Sequence, residues 1–246
     1  MSDRRTTIII IAVLLIASFL LYLLHYLVFQ DLHHIEIYFL GDLAFLSIEV
    51  LLVSLVIERL IELRDRKSRE EKRHMIIGTF FSTMGTYLLT YFSDSDPGMD
   101  KMKSDLLVSD AWTDEEFTRM AGVLSGYPCS IDLRRIDLSG LKAYLAGKEE
   151  FMVRILENPF LVEHDQFSEL LLATFHLTEE LDHRKDLVNL PENDYRHLSG
   201  DICRVYRILI SQWLDNVRHL KKHYPYLFSL ALRTNPFDEQ ASPIIP

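Results

Sequence analysis

Glu180-x-x-His183 has the spacing of a ligand pair in carboxylate-bridged di-metal sites. On a helix this spacing turns both side chains to one face, so one ion can take an oxygen and a nitrogen together. His176 stands one turn before Glu180, and Glu179 one turn before His183. Di-metal bundles need two such motifs and two further carboxylates on facing helices. The full set is not recognised in the chain, so an exposed, charged helix end is the expected reading. His219 and His223 are also one turn apart, but no HExxH accompanies them. There is no Walker loop, dinucleotide fingerprint, GxSxG or kinase motif set. The expectation is a non-enzymatic protein with no catalytic residue, no metal and no cofactor. Cys129 and Cys203 are far apart and form no CxxC. For a domain inside the cell the expectation is free thiols, with Cys203 a core residue.

A second group of polar residues stands out by its surroundings. Asp42 and Glu49 lie inside an apolar run, seven residues apart and on one helical face, with Tyr38 one turn before Asp42. Folding the chain about the turn before this run brings Asp42 to the depth of Tyr22 and His25, and Glu49 to that of Ser18. Ser18, Tyr22 and His25 share a face of their own. Each acid costs about 2.5–3.5 kcal/mol at the bilayer centre on insertion scales, so both should face protein or water. The leading reading is polar glue across the hairpin or between subunits. The alternative is a small oligomeric ion channel or proton path lined by the acidic face. A metal site from His25, His33, His34 and Asp42 matches no standard ligand spacing.

These residues need two helices to hold them. Thr7–Phe29 has no Asp, Glu, Lys or Arg, and Ile35–Ile57 is an apolar run of equal length. A hydrocarbon core of about 30 Å takes about 20 such residues. The first run is too long for a signal-peptide core of about 7–15 residues, and no small-x-small site follows it. Arg4 and Arg5 precede it, while Arg59, Arg64, Arg66, Lys67, Arg69, Lys72 and Arg73 follow the second run. The turn Gln30–His34 has neither Lys nor Arg. Lys and Arg stay on the cytoplasmic side. The expected location is therefore the cell membrane, with two spans and both termini cytoplasmic. The seven basic residues after the second run are also candidates for binding anionic lipid headgroups. The turn is too short to hold a pore loop.

The remainder reads as a soluble, acidic, helical domain. The formal net charge is −10, and from His74 onward there are 26 Asp and Glu against 17 Lys and Arg. That balance argues against a nucleic-acid partner. Met75–Ser93 has no charged residue and an apolar stripe at Ile77, Phe80, Phe81, Met84, Leu88 and Tyr91. Eight Ser, Thr and Gly residues dilute it, so it should pack at the membrane surface or on a neighbouring helix. Asp94–Gly98 reads as a turn and domain boundary. Thr113-Asp-Glu-Glu116 is a capping box, and Ser139 is placed to cap a short helix to Ala146. Asp165 to His183 carries a buried stripe. After Pro191, Glu192–His223 carries Tyr195, Leu198, Ile202, Val205, Leu209, Trp213, Val217 and Leu220, the pattern of a central helix. Tyr226–Leu232 should dock, and Asn235 to Pro246 should be loose. The fold class is all-α: a membrane hairpin over 1–73, an amphipathic segment over 74–93 and a helical domain over 99–246.

The runs FHLTEELDHR (Phe175–Arg184), HLSGDI (His197–Ile202) and YPYLFSLALRTNPF (Tyr224–Phe237), with the hairpin, resemble a group of prokaryotic membrane proteins of unknown activity. The resemblance implies two spans and a cytoplasmic domain, and brings no ligand or site. The functional expectation is a membrane-anchored interaction or regulatory module. It would be homo-oligomeric, in contact with lipid, and open to a cytoplasmic protein partner.

Overall fold

The computed structural model describes residues 2–161 and 165–245. The side chains of Ser2, Asp3, Arg4, His34 and Asp165 lie outside the description. This takes in the topology reading on Arg4 and the ligand reading on His34. All regular structure among the described residues is helical. The chain divides into two compact units, one ending at Arg66 and one beginning at Lys67.

The amino-terminal unit is built from α1 (Ser2–Phe29) and the first part of α2 (Leu32–Phe80). Gln30 and Asp31 join them. Gln30 has φ 51°, a left-handed value that costs a residue with a side chain about 1–2 kcal/mol. Asp31 then accepts from the His33 N–H at 2.9 Å, satisfying one of the free donors that open α2. Both helices are long and apolar enough to cross a membrane. Their large side chains are mostly exposed, among them Phe19 at 68% and Leu40 at 68%.

The carboxyl-terminal unit is organised around α8 (Glu192–His223). Leu198, Ile202, Val205, Leu209, Trp213 and Val217 are all buried along it, as the periodicity predicts. Tyr206, Ile210 and Leu214 are buried on a second face, because helices lie on more than one side of α8. Those helices are α3 (Thr86–Ser93), α4 (Asp114–Ser125), α7 (Asp165–Asp182) and α9 (Pro225–Arg233). The short helices α5 (Leu138–Ala146) and α6 (Glu149–Leu156) pack on α7. Two core threonines of α7 satisfy their hydroxyls within the helix: Thr174 donates to the Leu170 carbonyl at 2.7 Å and Thr178 to that of Thr174 at 2.8 Å.

The segment from Met75 to Ser93 packs on neighbouring helices of the carboxyl-terminal unit. It enters the core of the carboxyl-terminal unit, with Phe80, Leu88, Leu89 and Phe92 fully buried. Between α2 and α3 the chain makes a π-helix over Phe81–Gly85. A π turn holds one residue more than an α turn. The buried set is therefore Ile77 and Phe80 before it, Phe81 and Met84 within it, and Leu88, Leu89 and Phe92 after it. Tyr91, expected on the stripe, is displaced to the margin. Its hydroxyl donates to the Asp137 carbonyl at 2.9 Å.

The two glycines of this segment differ sharply. A methyl on Gly85 would meet ring carbons of Phe81 and Phe80 at 2.7 and 2.8 Å. A methyl on Gly78 would meet only the Asn216 Oδ1, at an ordinary 3.8 Å. Gly78→Ala is expected to stabilise the protein by about 0.5–1 kcal/mol through helix propensity. Gly85→Ala is expected to destabilise it by about 1–3 kcal/mol through overpacking. Urea unfolding of the full chain in detergent reads both; equal signs would mean that the π-helix is misplaced.

Four expectations are corrected. Cys129 and Cys203 are not free thiols: they form a disulfide, with Cα atoms 5.7 Å apart. Cys129 lies in the loop after α4 and Cys203 on α8, and only the tertiary fold brings them together. The helix at Leu138 is capped by Asp137, which accepts from the Gly140 N–H at 2.9 Å, not by Ser139. Asp94–Gly98 does turn, but Ser95 and Asp96 are buried within the carboxyl-terminal unit, so no boundary falls there. The tail is not loose at its start. Asn235 donates to the Leu106 carbonyl at 2.9 Å, and the Phe237 ring meets Trp213 edge to face at 4.9 Å.

Candidate functional site

In the amino-terminal unit, Ser18, Tyr22, His25, Tyr38 and Asp42 line one crevice of about 390 Å³, with Leu21 and Ile35. Glu49 lies outside it. Among the basic residues after the apolar run, Arg59 pairs with Glu62 at 3.2 Å. Lys72 stands 4.6 Å above the Phe160 ring, within range of a cation–π contact. Arg64, Arg66, Lys67 and Arg69 are exposed, and Arg73 is half-buried.

The carboxyl-terminal unit holds a larger and more apolar cavity of about 450 Å³. The end of α2 with the π-helix forms one wall, α8 a second and α9 a third. Gly78, Phe81, Trp213, Val217, Leu227 and Leu230 supply much of the lining. Helix α9 keeps the site open: only Phe228 is buried along it, while Tyr226 is 71% exposed. At one end His219 stacks on His74, with ring centroids 3.5 Å apart and planes 7° from parallel. The His219 Nε2 and the Asn216 Oδ1 are buried and make no hydrogen bond. Burial pushes the His219 imidazole down to about 4, helped by the positive charges of His223 and Arg73. His219 therefore presents a neutral ring to the cavity at neutral pH.

A pH dependence follows. The folded state holds His219 neutral, whereas an unfolded histidine titrates near 6.5. The unfolded state binds the extra proton first. The stability His219 contributes is complete above about pH 6.5 and is lost as pH falls towards 4. Its size is on the order of 1–2 kcal/mol once solvent access is allowed for. His219→Phe keeps the stacked ring and should flatten this part of the stability–pH curve. An unchanged slope in chemical denaturation between pH 4 and 7 would reject the assignment.

The Glu180-x-x-His183 spacing does not form a site. The His183 Nδ1 turns back to the Glu179 carbonyl at 2.8 Å, on an exposed helix end. Glu180 instead points between α7 and α8. Its Oε1 lies 3.9 Å from the His176 Nε2, and its Oε2 lies 3.5 Å from the His197 Nε2. Asp201 completes the group: its Oδ2 is 3.3 Å from the His197 Nε2 and 3.7 Å from the His176 Nε2. Arg184 holds the outer side of Glu180 at 2.6 Å and grips Asp194 at 2.7 Å. The hydrogen bond from Arg184 keeps the Glu180 carboxyl below the usual carboxylate range, and does the same for Asp194. Sequence reasoning found the His176–Glu180 neighbourhood but missed His197 and Asp201. They form a second i, i+4 pair, 21 residues after the first, and only helix packing joins the two.

No solved structure matches this chain. The chain is 46% identical over 241 residues to "Uncharacterized protein MJ1433" of Methanocaldococcus jannaschii, covering 98% of this chain and 97% of that protein. Residues 2–61 match the family described as "MJ1433, N-terminal helical domain". Residues 69–233 match "Uncharacterized protein MJ1433, C-terminal helical domain". The seam between the matched regions falls close to the division at Arg66 and Lys67. With both units matched and nearly its whole length shared with that relative, the chain belongs to the MJ1433 family.

Proposed function

We propose that this is an oligomeric two-span membrane protein whose carboxyl-terminal unit is a cytoplasmic, non-enzymatic interaction or regulatory module. Its ligand is a small apolar molecule held between α2, α8 and α9. The observation that carries this reading is the cavity of about 450 Å³, apolar on its walls and ending in a neutral imidazole and an unpartnered amide oxygen. That combination of an apolar slot with a few convergent polar groups is typical of small-molecule sites. Native mass spectrometry of the purified chain tests it. A small molecule should be retained by the wild type and lost from Gly78→Leu, whose side chain fills the cavity. A wild type that carries nothing, or a variant that carries the same mass, would remove the basis for the reading.

Two apolar helices with almost wholly exposed side chains support the membrane placement. The exposed carboxylates of Asp42 and Glu49 support a homo-oligomer, because neither is stable facing lipid. A reporter at the carboxyl end should read cytoplasm. A signal from the other side would overturn the orientation drawn from the Lys and Arg asymmetry.

The crevice at Ser18, Tyr22, His25, Tyr38 and Asp42 favours a second reading, an ion or proton path. Flux into liposomes that Asp42→Asn abolishes without altering assembly would select it.

A further inference from the structure

We infer that His176, Glu180, His197 and Asp201 form a binding site for one divalent transition cation of the zinc class, clamping α7 to α8. Both pairs are spaced i, i+4, so each helix offers an imidazole and a carboxylate from a single face. Ligand atoms of His176, Glu180 and His197 all lie within 4.8 Å of one another. The Asp201 Oδ2 sits 3.3 Å from one imidazole nitrogen and 3.7 Å from the other.

Distances decide between a metal site and simple ion pairs. A charged imidazole bound to a carboxylate sits about 2.7–2.9 Å away. The four contacts here are 3.3, 3.5, 3.7 and 3.9 Å, all longer. Four ligands on a tetrahedral zinc, each at about 2.0–2.2 Å, stand roughly 3.3–3.6 Å apart. The observed spacings of 3.3–3.9 Å overlap that range and run slightly beyond it, the two to Glu180 being from different oxygens of its carboxylate.

Asp201 is the independent observation. It is 4% exposed, and its Oδ2 has no hydrogen-bond partner. A buried carboxylate oxygen aimed at two imidazole nitrogens without a hydrogen bond to either is costly unless a cation takes it. Its other oxygen accepts from Arg204 at 3.2 Å, as the Oε2 of Glu180 accepts from Arg184. The two arginines orient the carboxylates from outside, the role that outer partners play around metal ligands. Two nitrogens and two oxygens suit a borderline ion such as Zn²⁺ better than Mg²⁺ or Ca²⁺, which prefer all-oxygen sets. With four protein ligands the site is closed, which indicates a structural cross-link.

The test uses the untagged full chain in detergent, stripped with a chelator and titrated with Zn²⁺ by calorimetry. One saturable equivalent per chain is expected, with a rise in melting temperature. Mg²⁺ in large excess should not displace it. Co²⁺ in place of Zn²⁺ should give the visible spectrum of a tetrahedral ion. His197 is half exposed, so His197→Ala should fold and melt like the metal-free wild type. It should bind Zn²⁺ at least about tenfold more weakly, and Asp201→Asn likewise. Should Asp201→Asn fail to fold, His176→Ala takes its place. No saturable binding, equal affinity in wild type and His197→Ala, or displacement by Mg²⁺ would each overturn the site. None of these readouts touches the apolar cavity, so this inference and the proposed ligand site stand or fall separately.

Discussion

Trp213→Ala is expected to cost the protein about 3–5 kcal/mol, the range for truncating an aromatic ring in a packed core. Trp213 is 4% exposed and sits where α8 meets the cavity wall and the tail. Its ring meets the edge of Phe237 at 4.9 Å, an arrangement worth about 0.5–1.5 kcal/mol beyond area burial. The cavity on its other side lets the void join open space, so the lower half of the range is the better expectation. Denaturant unfolding of the full chain in detergent can be followed through Trp112, which packs edge to face on Phe117 at 5.0 Å. A loss under 1 kcal/mol would mean that α8 is rotated from its described register.

The second large effect belongs to the disulfide. Cys129 and Cys203 close a loop with a sequence separation of 74. Chain-entropy arguments put the stabilisation from a loop of that length at about 4 kcal/mol, and mutational experience at about 2–4. The double variant Cys129→Ser with Cys203→Ser is the clean test, because a single change leaves a thiol facing a hydroxyl. A domain of this size should lose about 8–16 °C in melting temperature for 4 kcal/mol. A shift near zero would mean that the pair is reduced in the protein as purified. The bond also bears on location. Disulfides within the cell are rare outside hyperthermophiles, whereas the proposed topology, drawn from the Lys and Arg distribution, would put this unit inside. The carboxyl-end reporter and a thiol titration of freshly lysed cells, read together, settle both points.

The parts of the structure that depend on local rules were legible in the sequence. Length and apolar composition were enough to mark the two apolar helices. The Thr113–Glu116 box caps α4, with Thr113 accepting from the Glu116 N–H at 3.3 Å. The stripe of α8 gave both its bounds and the burial of Trp213. What failed depended on contacts far apart in sequence or on a break in period. The π-helix inserts a residue into the count, so a stripe read at 3.6 residues per turn puts Tyr91 inward when Leu89 and Phe92 are there instead. The disulfide, the tail contact at Leu106 and the four-residue cluster each join side chains that no local window contains. Within the cluster, both i, i+4 pairs were visible in the sequence, but nothing there set them face to face.

The docking of Asn235 and Phe237 also has a consequence for synthesis. The chain emerges from the ribosome in order, and α8 is complete at His223. At that moment Trp213 still lacks Phe237, and the Leu106 carbonyl lacks the amide that will bind it. Asn235 reaches back 129 residues to make that bond. A stretch made after α8 therefore seals the Leu106 segment and the central helix of the carboxyl-terminal unit. Premature termination anywhere before Asn235 would leave an open seam along Trp213, with the Leu106 carbonyl short of its partner.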